Sequence, residues 1–188
     1  ANAVLAQQVY GGHGYIAEHG MEQFVRDARI AMIYEGTNGI QALDLVGRKL
    51  PKDGGRAMQA FFGEVQAFIK AHGDEGMKPY VGPLAAALGH LQQATMWLMQ
   101  NAIAKPDNAG AAAADYLGLF GLCALGFMWC RIAEVAQAKL AAGADVGMTA
   151  RLVTGRFFME RMLPETAAHL ARIQAGAASM MELSAEAF

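Results

Sequence analysis

The residues of this 188-residue chain best suited to chemistry are Ile33-Tyr34-Glu35-Gly36-Thr37-Asn38-Gly39-Ile40-Gln41. One carboxylate, Glu35, stands between an apolar approach and the start of a helix. Gly36 lets the backbone turn, and either Thr37 or Asn38 can cap the amides that follow. Asn38 and Gln41 also have the spacing of a capping box, in a variant with Asn at the cap. A carboxylate placed there is suited to proton transfer. The helix dipole favours its anion and burial beside an apolar ligand favours its acid, so the sequence leaves the preferred state open.

Other candidate chemistry is weaker. Gly12-His13-Gly14-Tyr15-Ile16-Ala17 matches G-x-G-x-x-A, and Glu35 follows at about the distance of a ribose-binding acid. Its context argues against a dinucleotide site. Ala6-Gln7-Gln8-Val9-Tyr10 is a poor buried strand, Gly20 interrupts the would-be helix, and no later βαβ unit follows. His13, between glycines, is either an exposed loop residue or close to a ligand. His19, His72, His90 and His169 are scattered without metal-ligand spacing. Cys123 and Cys130 are seven residues apart on an expected helix, roughly 10 Å at about 1.5 Å per residue, too far to bridge. They read as reduced core thiols of a cytoplasmic protein.

These residues need elements to position them. The hydrophobic content is 54% and the formal net charge −2, which gives no reason to expect a nucleic-acid partner. The chain opens Ala1-Asn2-Ala3-Val4 without a secretory pattern, and a helix starting at residue 1 suggests excision from a longer chain. The longest apolar run, Tyr116 to Cys130, falls short of the roughly 20 residues of a membrane span, so no span is expected.

Ala1 to Tyr10 reads as a helix stopped by Gly11-Gly12. Met21 to Ile30 is a second, with Met21, Phe24, Val25 and Ala28 on one face. Arg26 and Arg29 are expected to make ion pairs with Asp27 or neighbouring helices. A third runs Ile40 to Leu50. Pro51-Lys52-Asp53-Gly54-Gly55 is a linker and the expected domain boundary, giving domains 1–50 and 56–188. Beyond it, Met58, Phe61, Phe62, Val65 and Ile69 follow the α-helical period. Asp74 to Pro79 reads as a loop. Leu84, Leu88, Leu91, Thr95, Leu98 and Ala102 take the four- and three-residue steps of a helix in a bundle. A long helix from Pro106 to about Ala142 is apolar nearly all round in its first half and should be central.

The last segment, Thr149 to Leu183, should break or kink at Pro164. Arg156 and Glu160 have the i,i+4 spacing of an exposed pair. Met96, Met99, Met128, Met180 and Met181 read as helix packing, and Phe157-Phe158 as core. No segment alternates with period two. The expected fold is all-α, with four or five long helices after residue 55 forming a helical bundle.

Three blocks then carry a resemblance. Gln8-Val9-Tyr10-Gly11-Gly12-His13-Gly14-Tyr15, Arg26-Asp27-Ala28-Arg29 and Ile33-Tyr34-Glu35-Gly36-Thr37 with Ile40-Gln41 resemble the C-terminal signature of the acyl-CoA dehydrogenases. The likeness covers roughly residues 1–50. The helical remainder looks like the C-terminal extension of some long bacterial members.

The resemblance implies FAD-dependent α,β-dehydrogenation of an acyl-CoA thioester, with Glu35 as base on the α-carbon and a hydride passing from the β-carbon to flavin. The thioester α-proton is weakly acidic and needs a positioned base and donors on the carbonyl oxygen. In the family those donors are the backbone N–H of this glutamate and a flavin ribityl hydroxyl. Tyr34 and Gly36 would line the substrate pocket. Gln8, Gly11 and Gly12 match a segment on the adenosine diphosphate end of FAD, commonly across a subunit interface, and Thr37 matches a residue on the flavin. Gly39 departs from the longer side chain often found there. The resemblance further implies an electron-transfer flavoprotein as acceptor and a homo-oligomer. With most of the family's site upstream of residue 1, the 188 residues alone are expected to be colourless and inactive. The competing expectation is a helical assembly module without catalysis.

Overall fold

The computed structural model describes residues 2–102 and 104–187. Every regular element among them is helical. The chain divides into two compact units, Ala1–Gln41 and Ala42–Phe188.

The first unit holds α1 (Asn2–Val9), two 3-10 turns (Gly11–Tyr15 and Ala17–His19) and α2 (Met21–Ile30), and ends within α3 (Thr37–Asp44). Gly11, at φ 59°, stops α1. Gly12 to Ala17 therefore follows a helix and forms 3-10 turns, so the strand and helix of a dinucleotide fingerprint are both missing from its flanks. No side chain of α1 or α2 is buried. Val9 is 86% exposed and Phe24 65%. Of the expected face of α2, Met21 and Val25 are half-buried, and Phe24 and Ala28 are exposed among the described residues.

Arg26 and Arg29 form no ion pair among the described residues, contrary to expectation. Asp27 instead accepts a 2.7 Å hydrogen bond from Gln23 Nε2. Residues one or two apart point to different sides of a helix, whereas Gln23 and Asp27, four apart, share one.

The second unit begins with the end of α3 and a π-helical turn, Leu45–Lys49, closed by the Leu50 N–H on the Leu45 carbonyl at 2.8 Å. Pro51 to Gly55 carries three successive positive φ angles, at Asp53, Gly54 and Gly55. Then come α4 (Arg56–Ala71), α5 (Lys78–Asn101), α6 (Pro106–Ala141), α7 (Met148–Phe157) and α8 (Glu165–Ala175). Five helices after residue 55 make the expected all-α bundle. Helix α5 starts before Leu84 and takes in Pro79, which sits in the first turn where its missing N–H breaks no helical bond. A second π-turn, Phe158–Met162, follows α7, and Pro164 then caps α8.

Helices α5 and α6 form the centre, and α8 and α7 pack on them. The α5 stripe is realised: Leu84, Leu88, Leu91, Thr95 and Leu98 are all buried. Helix α6 is long and apolar enough to cross a membrane by length and composition. It buries one stripe here, from Ala112 through Tyr116, Leu119, Cys123 and Phe127 to Cys130 and Ala136. Its other side leaves Leu125, Met128, Ile132 and Val135 exposed. The methionines expected to pack, Met96, Met99, Met128, Met180 and Met181, are exposed too, and of the aromatic pair Phe158 is core while Phe157 is not.

Buried polar groups are paired. Thr95 Oγ1 donates to the Leu91 carbonyl at 2.8 Å, so the Tyr116 hydroxyl, also at 2.8 Å, must donate to Thr95. The Tyr80 hydroxyl donates to the Leu152 carbonyl at 2.9 Å and ties α5 to α7. Cys123 and Cys130 are free and fully buried, and burial pushes both thiols up to about 12. Arg156 and Glu160 form the expected exposed pair, at 3.7 Å.

Candidate functional site

The candidate residues fall in two places within the first unit. Tyr34, Glu35, Gly36 and Thr37 occupy the turn between α2 and α3. Gln8, Gly11 and Gly12 lie at the end of α1 and in the 3-10 turn after it. Among the described residues no hydrogen bond joins the two groups.

The α2–α3 turn folds through three successive positive φ angles, 54° at Glu35, 98° at Gly36 and 62° at Thr37. Glycine adopts this region freely, but glutamate does so rarely and a β-branched threonine is an outlier there. Each such non-glycine residue costs on the order of 1–3 kcal/mol, and the surrounding structure must hold it in place.

Three hydrogen bonds do so. The Asn38 N–H donates to the Met32 carbonyl at 3.2 Å and closes the loop. The Ile40 N–H donates to Thr37 Oγ1 at 3.4 Å, so Thr37 caps the helix. Gln41 Nε2 donates to the Glu35 carbonyl oxygen at 2.9 Å. The capping box expected from Asn38 and Gln41 does not form, because Thr37 is the cap and the Asn38 N–H that the box would use goes to the Met32 carbonyl. Tyr34, Glu35, Gly36 and Thr37 are all exposed, and no ion pair engages the Glu35 carboxylate among the described residues. Glu35 is a presented carboxylate, held from behind by its backbone.

At the other location Gln7 Nε2 donates to the Gly14 carbonyl at 3.1 Å and pins the 3-10 turn onto α1. Gly14 is buried, and a Cβ on it would collide with the Gln7 carbonyl oxygen. Gly11 and Gly12 differ: a Cβ built on either meets nothing within 4 Å. Gln8 is exposed and forms no side-chain hydrogen bond among the described residues. His13 and His19 lie edge to face, ring centroids 5.2 Å apart. No group of three or more metal-ligating side chains forms among the described residues.

Sequence reasoning missed the bond between Gln7 and Gly14 and assigned Gln41 to Asn38, whereas its partner is Glu35. Gln41 carried the only signal, since its place one turn into a helix behind a glycine allows it to reach back.

The described residues are thus helical throughout their regular elements, with a carboxylate on a strained turn at a helix entrance and open glycines on a separate loop. Comparison with known proteins places the chain further. Residues 61–184 match the family described as "Acetyl-CoA dehydrogenase C-terminal like", and residues 2–50 match "Acyl-CoA dehydrogenase, C-terminal domain". The chain is 37% identical over 91% of its length to 3-methylmercaptopropionyl-CoA dehydrogenase of Ruegeria pomeroyi, covering 30% of that protein. It is 31% identical over 96% of its length to the broad-specificity linear acyl-CoA dehydrogenase FadE5 of Mycobacterium tuberculosis, covering 31% of that one. A shorter stretch, 25% of the chain, is 45% identical to caffeyl-CoA reductase-Etf complex subunit CarC of Acetobacterium woodii, covering 12% of it.

The chain belongs to the acyl-CoA dehydrogenase family and corresponds to its C-terminal part. It spans under a third of the length of the first two relatives.

Proposed function

We propose that the chain supplies the base-bearing C-terminal part of an FAD-dependent acyl-CoA dehydrogenase. The reaction removes a proton from the α-carbon and a hydride from the β-carbon of an acyl-CoA thioester, leaving an α,β double bond. The observation that carries this reading is the exposed Glu35 carboxylate, without an ion pair among the described residues, on a strained turn at the entrance of α3.

Glu35 accepts the α-proton, a contribution of about 10²–10⁴-fold for a positioned general base. Its backbone N–H donates to the thioester oxygen, where negative charge develops as the proton leaves. Tyr34 and Gly36 line the pocket beside the acyl chain. Thr37 contacts the flavin, and Gln8, Gly11 and Gly12 hold the adenosine diphosphate end of FAD. The open space at Gly11 and Gly12 and the uncommitted amide of Gln8 fit close approach by a bulky, polar cofactor. FAD, when bound, supplies the acceptor for the β-hydride.

An electron-transfer flavoprotein is the reoxidising partner in this reading, supported by the Acetobacterium woodii relative, named as a subunit of a reductase-Etf complex. Fatty-acid metabolism is the setting and the cytoplasm the compartment, in keeping with two free, buried thiols. The uncovered apolar side chains of the first unit support a homo-oligomer. Because the relatives are about three times longer, the 188 residues alone are expected to bind no flavin and to be inactive.

In the intact enzyme, Glu35→Gln is expected to keep the yellow flavin and lose bleaching by acyl-CoA, with kcat down at least about 10²-fold. Normal turnover in that variant sinks the base assignment.

One observation favours a second reading, an assembly module without chemistry: the exposed α6 stripe of Leu125, Met128, Ile132 and Val135. Light scattering on the intact protein and on a version ending at Leu50 tests it. An unchanged oligomer counts against an assembly role.

A further inference from the structure

Glu35 is the least self-sufficient residue of its turn. It sits at φ 54°, next to Gly36 at 98° and Thr37 at 62°, and only the glycine takes such an angle without strain. Among the three hydrogen bonds that hold the turn, the Asn38–Met32 bond at 3.2 Å and the Ile40–Thr37 bond at 3.4 Å fasten residues on either side of Glu35. The Gln41 bond, at 2.9 Å, is the shortest of the three and alone engages Glu35 itself.

A peptide group is planar, so fixing the Glu35 carbonyl fixes the plane of the Glu35–Gly36 peptide. That sets ψ of Glu35 and hence the direction in which its Cα–Cβ bond leaves the turn. Gln41 is one turn into α3, so the regular helix is the reference against which the carboxylate is aimed. The space beside Gly36 is reserved for the same amide: a Cβ there would lie 3.2 Å from Gln41 Nε2.

We propose that Gln41 is a positioning residue for Glu35, directing the carboxylate toward the α-carbon through the backbone without touching substrate. The proposal rests on the reading of Glu35 as base. A displacement of about 1 Å at a reacting group can cost on the order of 10²-fold in rate, so loss of the Gln41 donor should act on the proton-transfer step.

The test uses the intact flavoenzyme carrying this chain. Gln41→Met keeps the side-chain length and removes the donor. Its kcat should fall about 10²-fold with little change in KM and flavin content, and the isotope effect with α-deuterated acyl-CoA should rise. Unchanged kcat and isotope effect, where Glu35→Gln is inactive, overturn this proposal alone. Full turnover in Glu35→Gln overturns the base assignment and this proposal together. If Gln41→Met fails to fold, Gln41→Glu decides. Its carboxylate has no donor, whereas its acid form can donate to the Glu35 carbonyl. Its deficit relative to the parent enzyme at the same pH should therefore shrink as pH falls through the carboxylic range. A deficit flat in pH, which lost folding stability alone would give, overturns the proposal.

Discussion

His72 Nε2 lies 3.1 Å from the carboxylate of Glu134, joining the end of α4 to the C-terminal half of α6. Its other ring nitrogen, Nδ1, lies 2.9 Å from the Phe68 carbonyl, and the ring stacks on Phe68 at 4.0 Å. Both partners are acceptors, so the doubly protonated ring satisfies both at once. The Phe68 carbonyl chiefly, and Glu134 after it, raise the His72 pKa above its ordinary value near 6.5.

The sign of the pH effect follows. A raised folded-state pKa means that the clamp's contribution is complete below about 6.5 and is lost as pH rises through the higher folded value. Denaturant midpoints of the parent chain and His72→Gln should differ most below about pH 6.5 and draw together as pH rises through the raised folded value. A gap that widens with pH would refute the clamp.

The pair Thr95 and Tyr116 makes a separate prediction. Thr95→Val removes the acceptor of a fully buried hydroxyl and should cost about 1–3 kcal/mol. Adding Tyr116→Phe removes the orphaned hydroxyl and should recover much of that loss. A double-mutant cycle by urea denaturation measures it; simple additivity would show that the two hydroxyls are not coupled.

Two glycines should respond to alanine with opposite signs. At Gly155, a Cβ would lie 3.0 Å from Trp129 Cε3 and 3.3 Å from Tyr80 Cε1, both ring atoms in a packed crossing. Gly155→Ala should destabilise by about 1–3 kcal/mol through overpacking. At Gly121 in α6 a Cβ meets nothing within 4 Å. Gly121→Ala should be neutral or stabilising by up to about 1 kcal/mol, from helix propensity. Thermal melts of the two variants check the contrast.

Cys123 and Cys130 should be inert while the chain is folded. Burial holds both thiols near 12, and the thiolate is the reactive form. A thiol reagent at pH 8 should modify neither until denaturant is added, then both. Fast labelling of the folded chain would contradict the packing of α6.

What the sequence made legible depended on what decides each feature. Leu84 through Leu98 were readable because a stripe of large residues at helical spacing has few other uses. The start of α5 was not, since Pro79 punctuates a chain and also fits a first helical turn. Neither π-turn was visible, because the extra residue that bulges Leu45–Lys49 and Phe158–Met162 leaves the local composition unchanged. The exposed stripes of α1 and α2 look in sequence like any core-facing helix, because periodicity records an apolar face and not its partner. At the site, Gly36 announced a turn. The positive φ at Glu35 and Thr37 ran against residue type, and the bond from Gln41 back to Glu35 is written in neither residue's type.

Gly12 and Gly14 stand two letters apart in one block, and mutational tolerance at each reports on something different. At position 14 any side chain strikes the Gln7 backbone, so the chain's own geometry forbids variation whatever the loop binds. At position 12 a methyl group would meet nothing within 4 Å among the described residues. A deep mutational scan read by folding yield should therefore show a dip at Gly14 and little at Gly12. On the proposal that this loop holds FAD, the same scan read by cofactor retention in the intact enzyme should show a dip at both. The difference between the two profiles would separate the letters written for the fold from those written for the ligand.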